Sequence, residues 1–226
     1  MDWKKDIKMN EIVKDWDKKK ELILLVLFTY AITGIFGGAL DYIWNIPLWK
    51  ALTQVYRITV LIPAFIYFVK HKYKFKDLFK VKSVWEFVIG IGIALFIIVI
   101  MLVLSKTSID INRLSRFNAK KILRLLYHYI IIIALREEFV FRIAIERCLE
   151  DNFAKYKAIS PLITAMLFSY WHVINNTWQL GVITFFTGLI FGYSFYLIKK
   201  CSFISVVIGH GLYDFLVILF GIRMWF

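Results

Sequence analysis

The chain has 226 residues, of which 60 % are hydrophobic and 18 % aromatic, and its formal net charge at pH 7 is +13. Soluble domains contain about 45–50 % apolar residues, and a water-soluble globule of this length has too little interior to cover so much apolar surface. The composition excludes an ordinary soluble enzyme, a disordered tail and a disulfide-bonded secreted scaffold. It predicts an all-α protein, a polytopic transmembrane helix bundle that forms a single membrane domain over residues 1–226.

Apolar runs along the chain approach the length of about 20 residues that a helix needs to cross the hydrocarbon layer of a bilayer. We predict about seven spans, with a range of six to eight, because an additional re-entrant or interfacial segment in the basic loop 105–120 would change the count. The predicted spans are residues 21–40, 47–69, 84–104, 121–148, 158–174, 178–198 and 202–222.

The N-terminal segment 1–20 is predicted to lie in the cytoplasm at the membrane interface, because its apolar residues share one helical face among lysines. These apolar residues are Met9, Ile12, Val13 and Trp16. An N-terminus in the cytoplasm also places most of the Lys and Arg residues outside the spans on the inner side, as the positive-inside rule requires. We therefore expect a multi-pass protein of the cell membrane with its N-terminus in the cytoplasm.

The run Lys70–Lys76 alternates basic and aromatic residues. In a soluble protein this pattern could bind nucleic acid, but beside a transmembrane helix it favours an anchor to lipid headgroups. The predicted partners are accordingly membrane lipids and not nucleic acid. The pairs Gly34/Gly38 and Gly188/Gly192 have the small-xxx-small spacing that allows close helix packing within a bundle.

Clusters of polar, ionisable side chains occur within three of the predicted spans, although each such group at the middle of a membrane costs about 2.5–3.5 kcal/mol on insertion scales. The cluster of the fourth span includes two adjacent glutamates and an arginine four residues after the second of them, that of the fifth span a histidine, and that of the seventh a histidine and an aspartate. These candidate site residues are Glu137, Glu138, Arg142, His172, His210 and Asp214. Because of the cost, we expect them to face one another or a water-filled cavity.

The spacing of these residues predicts how they could meet. Glu138 and Arg142 are four residues apart, so they lie on one helical face and can form an ion pair, and Glu146 extends the same row. Glu137 is rotated by about 100° from its neighbour and is free to point into a cavity. The histidine and aspartate of the seventh span are also four residues apart. Two histidines, a free glutamate and a supporting carboxylate are the groups that activate a water molecule.

A zinc site is an alternative for the same residues, because one glutamate and two histidines could ligate Zn²⁺ and leave one position open. The chain has no HExxH motif, which is the usual way of placing two histidines on one helix. Cys148 and Cys201 form neither a CxxC nor a zinc pattern and are predicted to be inert thiols. We therefore predict no metal and no other cofactor.

Three motifs resemble, in order and spacing, the signature of the CPBP family (CAAX protease and bacteriocin-processing, also called Abi). They are Glu137-Glu138-x-x-x-Arg142, Phe168-x-x-x-His172 and His210-x-x-x-Asp214. Members of this family are intramembrane glutamic endopeptidases related to the eukaryotic prenyl-protein endopeptidase. The resemblance covers residues 120–220, which are therefore the predicted catalytic core helices.

The resemblance implies a role for each residue. Glu137 would be the general base that deprotonates a water shared with His172, and Glu138 would be held by the arginine of its motif. His210 and the residue four positions later would stabilise the oxyanion of the tetrahedral intermediate. That residue is often Asn in the family and is Asp214 here. Because a carboxylate repels an oxyanion, Asp214 is either protonated or orients His210 as a hydrogen-bond acceptor, and we favour the second role.

The resemblance also implies metal-independent cleavage of a peptide bond in a membrane-associated peptide or protein. Bacterial members of the family are linked to bacteriocin processing, self-immunity and peptide signalling. One alternative is a non-enzymatic membrane immunity or partner protein that uses the same fold. Another is an ion or proton pathway, which also places carboxylates and histidines within the membrane.

Overall fold

The computed structural model of the chain describes residues 17–32, 59–105 and 109–222, and these residues are helical without any strand. The predicted all-α bundle is confirmed. Its helices are α1 (17–32), α2 (Leu61–Lys70), α3 (Trp85–Ser105), α4 (119–152), α5 (Ser160–Asn175), α6 (Trp178–Leu197) and α7 (Phe203–Phe220). Short helical turns at Phe75–Leu78, Ile111–Arg116 and Ala154–Ile159 lie between them.

Three helices of the described residues, α3, α6 and α7, are long and apolar enough to cross a membrane. Helix α5 has 16 residues, and α4 carries charged residues in its middle. The proposed interfacial residues of the N-terminal segment, Gly34 and Gly38, and parts of the first two predicted spans (33–40 and 47–58) lie outside the described residues.

Helix α4 contains the two adjacent glutamates and departs from α-helical geometry on both sides of them. Residues His128–Ala134 and Phe139–Glu146 are π-helical, and Leu135–Glu138 is an α-helical turn between them. The backbone at every junction is right-handed helical, so residues 119–152 form one continuous helix. Such π-helical stretches occur frequently at functional sites.

Helix α7 packs against α3 on one side and against α4 on the other. A Cβ atom on Gly209 would lie 3.1 Å from the carbonyl oxygen of Gly90 in α3, and one on Gly211 would lie 2.6 Å from Cα of Ile130 in α4. Only residues without a side chain allow helices to approach so closely. The two glycines flank His210 and hold it between the neighbouring helices.

Helices α5 and α6 are joined by two residues and form a tightly packed antiparallel pair. Gly188 and Gly192 of α6 make this packing possible. A Cβ atom on Gly188 would lie 3.4 Å from Ala165 of α5, and one on Gly192 would lie 3.0 Å from Pro161 of α5. The predicted role of this glycine pair in close packing is confirmed. One apolar core joins α1, α2, α4, α5 and the start of α7, and a second joins α3, α6 and α7.

Candidate active site

Arg142 lies beneath the site, and its side chain is fully inaccessible to solvent. Its Nε donates to Oε2 of Glu138 at 2.9 Å, and its Nη1 donates to Oε2 of Glu146 at 3.0 Å. Its Nη2 donates to the carbonyl oxygen of Gly188 at 3.2 Å. A buried guanidinium group needs such multiple partners to offset its desolvation. The predicted Glu138–Arg142 ion pair is present, and the row continues to Glu146 as expected.

Glu138 also connects α4 to α7. Its second carboxylate oxygen, Oε1, lies 2.7 Å from Nδ1 of His210. The imidazole of His210 stacks on the ring of Phe191, with centroids 5.0 Å apart, and meets the edge of Phe168 at 5.9 Å. The contact with Glu138 fixes the orientation of the histidine ring, so that Nδ1 faces Glu138 and Nε2 points away from it.

Glu137 lies on a different face of α4, and its two oxygens have different surroundings. Oε1 accepts a hydrogen bond from Nη2 of Arg136 at 2.7 Å. Oε2 lies 3.8 Å from Nε2 of His210 and 3.9 Å from Nε2 of His172. These two separations are too long for direct hydrogen bonds and match groups that a water molecule can bridge.

His172 presents Nε2 to the same place because its other ring nitrogen is engaged. Nδ1 of His172 lies 2.9 Å from the carbonyl oxygen of Phe168, one turn earlier in α5. A carbonyl oxygen can only accept, so Nδ1 is the protonated nitrogen, and Nε2 of the neutral ring is an acceptor. Phe168 therefore contributes to the site through its backbone as well as its ring.

Asp214 lies one turn beyond His210 in α7. Its Oδ2 is 3.5 Å from Nε2 of His210, and its side chain is 24 % exposed, compared with 5 % for the histidine. This position is compatible with the favoured role of Asp214 in orienting His210, and the ring has a second, shorter carboxylate contact, to Glu138. Asp214 flanks the ring nitrogen that faces Glu137, whereas Glu138 contacts the other one.

These groups surround a cavity of about 190 Å³ between α4, α5, α6 and α7. Four of the six candidate residues line it, whereas Glu138 and Arg142 lie behind its wall and support His210. The remaining wall is apolar apart from hydroxyl groups. The lining residues are Tyr129, Ile133, Glu137, Phe168, His172, Leu180, Thr184, Thr187, His210, Tyr213, Asp214, Val217 and Ile218.

The charges of the cluster do not balance without additional protons. The cluster contains four carboxylates, two guanidinium groups and two imidazoles, so its net charge is about −2 when every carboxylate is ionised and both imidazoles are neutral. The residues are Arg136, Glu137, Glu138, Arg142, Glu146, His172, His210 and Asp214. In a poorly solvated interior, near-neutrality is strongly favoured. The imidazoles and carboxylates must therefore hold about two protons between them, and a cluster that holds mobile protons is suited to proton transfer.

Arg136 is a site residue that sequence reasoning missed. Its side chain is 11 % exposed, and it binds the glutamate immediately following it. Adjacent residues of a helix do not share a face, so spacing contained no signal for this pair. The only available signal was a further buried charge next to Glu137.

The fold and this cluster together define a class: a helical membrane protein with a carboxylate–imidazole site inside the bundle. Residues 119–216, which include all six candidate residues, match the family described as type II CAAX prenyl endopeptidase Rce1-like. This match confirms the resemblance to the CAAX protease family over this part of the chain. No curated protein and no solved structure matches the chain.

Proposed function

We propose that this protein is an intramembrane endopeptidase in which Glu137 and His172 activate a water molecule, without a metal ion, to hydrolyse a peptide bond. The observation that carries the proposal is the position of Oε2 of Glu137, 3.8 and 3.9 Å from the two imidazole Nε2 atoms. A water molecule at this place would contact the base and both histidines. Among the described residues, no three His, Cys, Asp or Glu side chains form a metal-binding group.

In the proposed reaction, Glu137 takes a proton from the water while Nε2 of His172 accepts the other hydrogen bond. The water oxygen bonds to the scissile carbonyl carbon, and the electron pair of the C=O bond moves to the carbonyl oxygen. Protonated His210 stabilises this oxyanion. The C–N bond then breaks as the leaving nitrogen takes the proton held by Glu137. Arg136 fixes the other oxygen of the glutamate and so keeps Oε2 directed at the water.

The proposed substrate is a membrane-associated peptide or protein. The cavity lies between helices of a membrane bundle, and its walls are largely apolar, which suits a substrate segment that is itself in the bilayer. On the family resemblance, bacteriocin processing, self-immunity or peptide signalling are the proposed physiological roles. The proposed location is the cell membrane, with the N-terminus in the cytoplasm.

The reaction can be tested with purified protein in lipid nanodiscs and a panel of membrane-associated peptides, including prenylated CAAX peptides. Mass spectrometry would detect the products, and hydrolysis in H₂¹⁸O would place ¹⁸O in the new carboxyl terminus. We expect Glu137→Gln to abolish cleavage while the protein remains folded and inserted. Glu150→Gln is the matched control, because it changes an acidic residue of α4 that does not line the cavity.

Cleavage by the Glu137→Gln variant would remove Glu137 from the mechanism. Loss of activity with a chelator, followed by recovery with zinc, would replace the proposed mechanism with metal catalysis. If neither wild type nor variant cleaves any peptide but both confer the same immunity in cells, the non-enzymatic alternative is favoured. Proton or ion flux in proteoliposomes would favour the pathway alternative.

A further inference from the structure

A second cavity, of about 380 Å³, lies at the N-terminal end of α7, next to Phe203. Three membrane-length helices terminate beside it: α3 begins at Trp85, α6 ends at Leu197 and α7 begins at Phe203. Because a membrane-spanning helix ends near the boundary of the hydrocarbon layer, this cavity lies at the depth of the lipid headgroups. The peptidase cavity has no lining residue in common with it.

The lining of this headgroup-level cavity is strongly basic. Five basic side chains line it, against two acidic ones. The basic residues are Lys80, Lys82, Arg147, Lys199 and Lys200, and the acidic residues are Asp77 and Glu86. Glu86 is only 2 % exposed, and its oxygens are occupied by the hydroxyl of Ser202 at 2.6 Å and by the backbone N–H of Lys82 at 2.7 Å. The buried carboxylate therefore organises the floor of the cavity, while the surplus of positive charge remains.

Two of the basic groups are held in place by aromatic rings. Nζ of Lys200 lies 5.5 Å from the centre of the Trp85 ring, and Cζ of Arg147 lies 5.3 Å from the centre of the Tyr73 ring. Nε of Arg147 is buried and has no hydrogen-bond partner among the described residues. A buried donor without a partner is costly, and the negative charge of an anion in the cavity would stabilise this guanidinium group electrostatically.

We propose that this cavity binds an anionic phosphate group, of the kind carried by acidic membrane lipids. Basic pockets between transmembrane helices bind such headgroups, and an arginine together with several lysines provides donors for phosphate oxygens. The positive N-terminal end of α7, capped by Ser202, adds to the attraction. The bound headgroup would join the ends of α3, α4, α6 and α7 through one anion.

The test measures thermal unfolding of the purified full chain in detergent micelles containing either phosphatidylglycerol or phosphatidylcholine. A parallel arm adds inorganic phosphate to lipid-free micelles, with sodium chloride at equal ionic strength as its reference. We expect phosphatidylglycerol to raise Tm by about 5 °C over phosphatidylcholine. A rise with inorganic phosphate alone supports the same site with a soluble phosphate compound as its source.

The decisive variant is Lys199→Gln/Lys200→Gln, which removes two cationic groups from the cavity and should abolish the rise in Tm. Lys155→Gln/Lys157→Gln is the matched control, because it removes the same charge from exposed residues that do not line the cavity. Lys82→Gln is a second variant and retains the backbone contact with Glu86. A rise that survives in both cavity variants, an equal loss in the control, or no rise with either phosphate source would overturn the proposal.

Discussion

Glu138 accepts from two donors on different helices: Nδ1 of His210 lies 2.7 Å from one carboxylate oxygen, and Nε of Arg142 lies 2.9 Å from the other. All three side chains are at least 95 % buried. Arg142 holds the carboxylate of Glu138 in place, and this carboxylate in turn holds the imidazole ring of His210. This contact determines which nitrogen of His210 faces the cavity.

Glu138→Gln should reduce kcat by about 10²–10⁴-fold and change KM little. A glutamine side chain has one acceptor oxygen in place of two, so either His210 or Arg142 loses its partner and the imidazole is released from its orientation. Cleavage kinetics of the purified variant test this, with the fold checked by thermal unfolding. Glu150→Gln is the control on the same helix, and an unchanged kcat in Glu138→Gln would refute the orienting role.

Asp214→Asn should retain most of the cleavage activity, because Glu138 already orients His210 and an amide can donate to the oxyanion. Asp214→Leu can neither donate nor accept a hydrogen bond, so a hundredfold loss with leucine but not with asparagine would assign Asp214 to the oxyanion. The ratio of the two kcat values decides between the two roles open for this residue. If asparagine is as damaging as leucine, the carboxylate itself is required.

Arg136→Gln should lower kcat by about 10- to 100-fold, because the charge-assisted hydrogen bond to Oε1 of Glu137 no longer fixes the carboxylate. KM should change little, since Arg136 does not line the cavity. Arg136→Lys, which keeps the charge and one donor, should restore part of the rate. Arg124→Gln provides the control, because this arginine is an exposed residue of the same helix. Equal rates for wild type and Arg136→Gln would rule out the positioning role.

Gly211→Ala should destabilise the protein by about 1–3 kcal/mol and lower activity. The new Cβ would lie 2.6 Å from Cα of Ile130, which is backbone and cannot rotate away. Gly92→Ala is the matched control within α3, where a Cβ would meet nothing within 4 Å, and there alanine should be neutral or slightly stabilising. Thermal unfolding in detergent compares the two; similar Tm values would show that α4 and α7 can separate without loss.

Cys201 should react slowly with iodoacetamide. Burial raises the pKa of this thiol to about 12, so at pH 8 the thiolate fraction is about three orders of magnitude below that of an ordinary cysteine. Its alkylation rate should continue to rise as the pH increases beyond 9, where an unperturbed thiol levels off. Peptide mass spectrometry measures this, with the exposed Ser115→Cys as the reference; equal rates at both positions would contradict the prediction.

The length of the apolar runs was sufficient to predict the bundle, and the spacing of the polar residues within them was sufficient to predict one contact of the candidate site. Glu138 and Arg142 were recognisable as an ion pair because residues four positions apart lie on the same face of a helix, and this spacing can be read directly from the sequence. The approximate bounds of α3, α5, α6 and α7 followed for the same reason, since the length of an apolar run is set by the bilayer.

Contacts between helices were decided only by the tertiary structure. The bond from Glu138 to His210 joins residues 72 positions apart, and it depends on the close approach that Gly211 allows. The Arg136–Glu137 pair depends on side-chain paths in a helix that changes between α and π geometry. The rotation and separation of whole helices determine which oxygen or nitrogen atom faces a cavity. Packing across the bundle sets both quantities, and the sequence of a single segment does not contain that information.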